Sequence, residues 1–102
     1  MTRRYLLVKV ISERSLSEEQ LQKALTETIR RYFGEIGLSR INPKLIRFDP
    51  EESIAVVGCR TTGIVELQAA LALLSHVEDT SVMPLVLRRS GTIRSLARRR
   101  TK

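Results

Sequence analysis

The chain has few of the residues that build disulfides, metal sites or aromatic binding surfaces. Its 102 residues include one cysteine, one histidine, two tyrosines, two phenylalanines and no tryptophan. A lone cysteine, Cys59, excludes an internal disulfide, and the shortage of Cys and His argues strongly against a zinc site. The longest apolar run, 69–74, is far too short to cross a membrane. The N-terminus has no recognisable signal peptide, so we expect a cytoplasmic protein without membrane contact.

Acidic residues are missing from the last quarter of the chain. Residues 80–102 hold seven Arg and Lys and no acid, whereas residues 1–79 hold eleven residues of each sign. The whole net charge of +7 therefore lies after residue 79, which predicts a polyanionic partner. We expect residues 1–90 to form one domain and residues 91–102 to form a basic C-terminal extension.

The first third of the chain predicts a strand followed by a helix. Residues 5–11 are largely apolar on both faces, as in a strand from the middle of a sheet. Ser17 and Gln20 have the spacing of a capping box, which marks a helix start. Apolar residues then recur at helical spacing, and we expect the helix to end at Gly34 or Gly37.

A hairpin, a second helix and a last strand follow. Asp49 and Pro50 favour a tight turn between the two hairpin strands. The predicted elements are strands at 44–48, 53–60 and 81–88 and a helix at 63–76.

The element order β-α-β-β-α-β is typical of an α+β, ferredoxin-like (RRM-like) fold. In that fold the antiparallel sheet has the strand order 4-1-3-2 and carries both helices on one face. Pro84 agrees with an edge position for the fourth strand, because an edge tolerates a missing N–H.

Basic residues at both chain ends are the candidate RNA contacts. Arginine suits phosphate because its planar group can donate two parallel hydrogen bonds. A solubilising tail is the alternative for the last ten residues. We expect the first and third strands to run parallel, which would separate Arg60 from Arg3 and Arg4. The candidate RNA-binding residues are Arg3, Arg4, Arg60, Arg88, Arg89, Arg94, Arg98, Arg99, Arg100 and Lys102.

Two apolar surfaces are candidates for a protein partner. Base stacking on the sheet is not expected, because Tyr5 is the only aromatic residue of the first strand and the third strand has none. The second helix also has one more apolar stripe than packing on a sheet needs. The candidate partner-binding residues are Leu7, Ile54, Val65, Ala72 and Leu73.

We predict no catalytic residue, no metal site and no cofactor on this chain. His76 is expected near a helix C-terminus, where a partial positive charge is favourable. Cys59 is expected to be a small buried residue. Asp49, Glu51 and Glu52 are expected to form a solvated turn rather than bind a metal.

Several short segments together resemble one known family. They are 3–10, 45–49, 57–60, 69–71 and 90–94, and Ser90-Gly91-Thr92-Ile93-Arg94 is the most specific of them. They are similar to the small protein subunit of ribonuclease P, the protein component 2 family of the archaeal enzyme. The resemblance covers nearly the whole chain.

The resemblance implies a role in removing the 5′ leader from precursor tRNA. It implies that the RNA component carries the active site and its metal ions, while this subunit binds that RNA and another protein subunit. Precursor tRNA would be bound indirectly, and a homodimer within the complex stays open.

The residues alone leave other functions open. One is a ribosomal or other RNA-assembly protein of ferredoxin-like fold. Another is a small-molecule regulatory domain, which would need a ligand pocket. A stand-alone nuclease is disfavoured, because no acid–base or metal set is visible.

Overall fold

A computed structural model describes residues 3–91 of the chain. These residues form five strands and two helices around one core. The elements are β1 (Arg3–Ser12), α1 (Glu18–Ile41), β2 (Lys44–Asp49), β3 (Ile54–Arg60), α2 (Ile64–Leu73), β4 (His76–Val77) and β5 (Thr80–Ser90). None of the helices in this range is long and apolar enough to cross a membrane.

The five strands form one antiparallel sheet in the order β2-β3-β1-β5-β4. The α+β class is confirmed, but the predicted four-stranded sheet has a fifth strand, β4. Residues 63–76 were expected to be helical throughout, yet α2 ends at Leu73, and His76 opens β4 instead of lying at a helix C-terminus. The early end lets Val77 reach the core, where it is almost fully buried.

β1 and β3 run antiparallel, so the expectation of parallel strands was wrong. A hairpin reverses the chain between β2 and β3, and β3 therefore runs against β1. In the observed register Arg3 pairs with Arg60 and Arg4 pairs with Cys59. Arg60 thus lies at the same end of the sheet as Arg3 and Arg4, not at the opposite end.

Helix α1 begins as the sequence predicted and ends later. Ser17 Oγ accepts from the backbone N–H of Gln20, whose side chain accepts from the Ser17 N–H, which completes the capping box. At Gly34 the backbone leaves the helical region, with φ 74° and ψ 179°. The chain resumes the helix after this break and ends at Ile41, with Asn42 as a left-handed cap. The predicted end at Gly34 therefore coincides with the break, but the helix continues beyond both Gly34 and Gly37.

The core lies between one face of the sheet and the two helices. Alternate residues of β1 and β3 point into it, and α1 and α2 each contribute a buried stripe. Its most deeply buried side chains are Leu6, Leu25, Ile29, Ile41, Leu67, Val8, Val77 and Cys59. The other side of the sheet carries no helix from residues 3–91, and we call it the open face.

Candidate RNA and protein interfaces

Five arginines from three strands meet at one end of the sheet. On one side of β1, Arg3 pairs with Arg60. On the other side, β5 places Arg88 opposite Leu7 and Arg89 opposite Leu6. We call this group the arginine end; its members are Arg3, Arg4, Arg60, Arg88 and Arg89.

The arginine end has two sides, because neighbouring strand residues point to opposite faces. Leu6 is buried under the helices, so its partner Arg89 lies on the helix side, as does Arg4. The side chains of Arg3, Arg60 and Arg88 belong to the open face.

On the helix side, Arg89 is held near the first half of α2. Its Nη1 donates to Oε1 of Gln68 at 3.2 Å. A cavity of about 360 Å³ lies there, lined by Arg4, Thr61, Ile64 and Arg89. The N-terminus of α2 has no side-chain cap, and its helix dipole adds partial positive charge to the two guanidiniums. The surroundings of this cavity therefore favour an anion.

On the open face, Arg3 is fixed while two other arginines have unmet hydrogen-bonding capacity. Arg3 Nη2 donates to the backbone oxygen of Asn42 at 3.2 Å. The Nε atoms of Arg60 and Arg88 are shielded from solvent and have no hydrogen-bond partner within residues 3–91. Shielded donors without an acceptor are rare in folded proteins, so these two side chains stand out as sites for an added acceptor.

Sequence reasoning missed further basic residues of the open face, among them two on β2. β2 places Lys44 opposite Gly58 and Arg47 opposite Val56. Val56 belongs to the small apolar cluster on the open face, and Gly58 lies two residues further along β3. A regular strand would place alternate side chains of β2 on opposite faces. A bulge between Leu45 and Arg47 shifts this alternation, so the face of Arg47 could not be read from the sequence.

The predicted spare stripe of α2 lies on the surface. Val65 is 70% exposed and Leu73 is 46% exposed, and Ala72 is exposed as well. Helix α1, which packs on the same face of the sheet as α2, also has exposed apolar residues, Tyr32 and Ile36. Ile36 is 83% exposed, and the break at Gly34 separates it from the buried stripe of the first part of α1. We call Val65, Ala72 and Leu73 the outer stripe.

The two open-face candidates for contact with a protein partner, Leu7 and Ile54, differ in their exposure. Leu7 is only 6% exposed, because it packs with Val56, Tyr5 and Ile54. It is therefore not available as a surface contact. Ile54 is partly buried and keeps some exposed surface.

Within residues 3–91 no group of three His, Cys, Asp or Glu could hold a metal ion. Asp49 Oδ1 instead accepts from the backbone N–H groups of Glu51 and Glu52, as in a capped turn. Cys59 is fully buried, and burial raises its thiol pKa to about 11. His76 Nδ1 lies 3.1 Å from Ser75 Oγ at the surface.

Half of the candidate RNA contacts lie outside the described residues. They are Arg94, Arg98, Arg99, Arg100 and Lys102. The described part of the chain ends at Gly91, beside the arginine end, because Ser90 pairs with Tyr5.

Comparison with known proteins agrees with the resemblance seen in the sequence. Residues 4–100 match the Rpp14/Pop5 family. Ribonuclease P protein component 2 of Pyrococcus furiosus is 30% identical over 97 residues, covering 95% of this chain and 81% of that protein. The Archaeoglobus fulgidus protein of the same name is 34% identical over 97 residues, covering 95% and 86%.

A solved structure has the same fold. A chain in the cryo-EM structure of yeast ribonuclease MRP superposes with a TM-score of 0.73 at 10% identity. The match covers 89% of this chain and 75% of that chain. Together with the family match over nearly its whole length, this establishes that the chain belongs to the Rpp14/Pop5 family, the family of archaeal ribonuclease P protein component 2.

Proposed function

We propose that this chain is a protein subunit of ribonuclease P that supports the catalytic RNA in removing the 5′ leader from precursor tRNA. The family membership and the convergence of five arginines at one end of the sheet carry the proposal. We also propose the ferredoxin-like assignment, since the four longer strands lie in the order β2-β3-β1-β5.

RNA is the partner that suits the arginine end. Phosphate groups accept hydrogen bonds from guanidinium, and each contact releases counterions from the RNA. The basic segment 91–102 continues in sequence from the same end and adds five positive charges. We propose that the chemistry, with its metal ions, belongs to the RNA, and that this chain contributes no cofactor and no catalytic residue.

The outer stripe is proposed to bind another protein subunit of the enzyme. It exposes apolar side chains on a helix whose opposite face is already used by the core. A homodimer through the same stripe is the alternative, and precursor tRNA would be reached through the RNA component. For such a tRNA-processing particle we propose a cytoplasmic location.

Reconstitution tests the proposal. The RNA component and the remaining protein subunits of an archaeal ribonuclease P are combined with precursor tRNA, with and without this chain. We expect cleavage to rise on adding the chain and the chain alone to be inactive. Replacing Arg60, Arg88 and Arg89 by Gln should weaken RNA binding, whereas the control that replaces Arg14, Lys23 and Arg31 by Gln loses the same charge elsewhere and should bind normally.

The outer stripe is tested in the same mixture. Leu73→Glu places a charge in the stripe and should prevent co-elution with the partner subunit, while Ser39→Glu, exposed on α1, should not. Circular dichroism checks that both variants fold. No stimulation of cleavage by the folded chain, in any combination of subunits, would refute the proposed function.

A further inference from the structure

Tyr5 lies in the middle of the basic part of the open face. It pairs with Gly58 on β3, and Gly58 pairs with Lys44 on β2. Arg3 and Leu7 are its neighbours on the same side of β1. Arg60 and Arg88, the partners of those two residues, are therefore its diagonal neighbours.

Gly58 gives the Tyr5 ring its position. A Cβ atom at residue 58 would lie 3.0 Å from both Cδ1 and Cε1 of the ring, tighter than most such contacts in proteins. The ring therefore packs closely over the β3 backbone at Gly58, and a side chain at this position would press against it. Leu7 and Val56 support it from the adjacent row of the sheet. Tyr5 is partly buried by these contacts and keeps part of its surface exposed.

Positive charge surrounds this ring. Strands lie about 4.8 Å apart and second neighbours along a strand about 6.6 Å apart, so the diagonal arginines start about 8 Å from Tyr5. Their long side chains can reach groups on either side of the ring. Among the paired residues of the open face in the described strands, Asp49 is the only acid, and it lies two rows away, beside Ile54. The electrostatic field at Tyr5 thus favours a polyanion.

We propose that this part of the open face binds single-stranded RNA, with one base stacked on Tyr5 and the flanking phosphates held by Arg3, Arg60 and Arg88. Stacking requires a base that is free of a duplex, so the site selects single strands, loops or bulges. The shielded Nε donors of Arg60 and Arg88 gain an acceptor when a phosphate draws the side chains outward. Because β3 has no aromatic residue, one base is stacked on the sheet rather than two or three.

This inference rests on the proposed function in one respect, that RNA is the partner. It adds the form of the RNA, the contact surface and an aromatic contact that the sequence alone argued against. The sequence disfavoured base stacking because the third strand has no aromatic residue. Tyr5 pairs with Gly58, and this contact holds the Tyr5 ring in position, so that one base can still stack on the sheet.

Tyrosine fluorescence provides a direct test in the full chain. The chain has two tyrosines and no tryptophan, so the variant Tyr32→Phe leaves Tyr5 as its only emitter at tyrosine wavelengths. This protein is titrated with a ten-nucleotide oligouridylate and, separately, with a blunt self-complementary RNA duplex at the same phosphate concentration. We expect the oligouridylate to quench Tyr5 emission and the duplex, whose bases are all paired, to leave it nearly unchanged.

Substitutions separate the aromatic contribution from the charge contribution. Tyr5→Leu should lower oligouridylate affinity about tenfold, the loss of one stacked base, whereas Tyr5→Phe should stay within about twofold of the parent. Gly58→Val should act like Tyr5→Leu, because it displaces the ring. Arg60→Gln should reduce the slope of log affinity against log salt by about 0.7, and the control Arg31→Gln should not. Thermal melting followed by circular dichroism checks that each variant folds.

Two results would overturn the inference. One is an unquenched Tyr5 on saturation with oligouridylate; the other is equal oligouridylate affinity of folded Tyr5→Leu and the parent. Either result leaves the proposed function standing if the chain still stimulates cleavage in the reconstituted enzyme. If the chain failed to stimulate cleavage but Tyr5 were quenched normally, the proposed function would fail and the stacking site would stand.

Discussion

The thiol of Cys59 is fully buried on the helix side of β3, and this burial raises its pKa from 9.0 to about 11. Arg3 lowers the pKa and Glu66 raises it, so the two charges oppose each other. The folded state thus favours the neutral thiol. Its contribution to stability is complete below pH 9 and is lost as the pH rises from 9 to about 11.

Urea unfolding at several pH values measures this contribution. We expect stability to fall between pH 9 and 11, and to fall less steeply in Cys59→Ala, where the thiol is gone. The parent and Cys59→Ala are compared by how much stability each loses between pH 9 and 11. Their absolute stabilities are not compared, because Cys59→Ala also removes a packed atom. In the parent at pH 8, a thiol reagent should react only after denaturant is added; rapid reaction of the folded chain would contradict the buried position.

Residue-scale features were predictable where they depend on nearby sequence. The capping box of Ser17 and Gln20 spans four positions, and the structure contains it. The burial of Cys59 follows from its place in an apolar strand. The position of Arg60 was predicted wrongly, although adjacent first and third strands in the predicted antiparallel sheet imply that Arg60 lies beside Arg3.

Helix α1 contains a break at Gly34, where replacing glycine by alanine should lower the stability of the chain instead of raising it. Within a regular helix, replacing Gly by Ala stabilises by about 1 kcal/mol. Gly34 has φ 74° and ψ 179°, a region that other residues adopt only under strain, although space is available for a side chain. We therefore expect Gly34→Ala to destabilise the chain by about 1–3 kcal/mol.

Chemical denaturation of Gly34→Ala beside Ser39→Ala tests this expectation. Ser39 is exposed in the second part of α1, where alanine should be neutral or slightly stabilising. A stabilised Gly34→Ala would mean that α1 runs straight in solution. Ile36 would then no longer follow a break, and its exposure would need another explanation.

Elements were predictable in type but not in length. The apolar repeat of α2 distinguishes its buried stripe from the outer stripe, and both are present. The end of α2 was missed, because the two residues of β4 become a strand only through their pairing with β5. A two-residue segment has no periodicity of its own to read.

The charge of the molecule is distributed unevenly, which bears on how it holds RNA. Deleting residues 95–102 removes Arg98, Arg99, Arg100 and Lys102 and leaves the described arginines in place. We expect affinity for the ribonuclease P RNA to fall, and the slope of log affinity against log salt to shrink by up to about 3. Binding should persist, because the arginine end remains.

Filter binding at several salt concentrations measures this slope. A second variant, with Gln at the same four positions, keeps the chain length and should behave like the deletion. An unchanged slope in both variants would assign residues 95–102 a solubilising role and leave RNA binding to the arginine end. Complete loss of binding would instead show that the arginine end alone is insufficient.

The placement of β1 in the middle of the sheet has a consequence for the order of events during synthesis. β1 is made first, yet its neighbours β3 and β5 come from residues 54–60 and 80–90. On the ribosome its backbone N–H and C=O groups stay unpaired and its apolar faces uncovered for most of translation, when nascent chains are prone to wrong contacts. Arg88 and Arg89 are also the last of the five arginines to emerge. A nascent chain therefore cannot present the complete arginine end to RNA until residue 90 has left the exit tunnel.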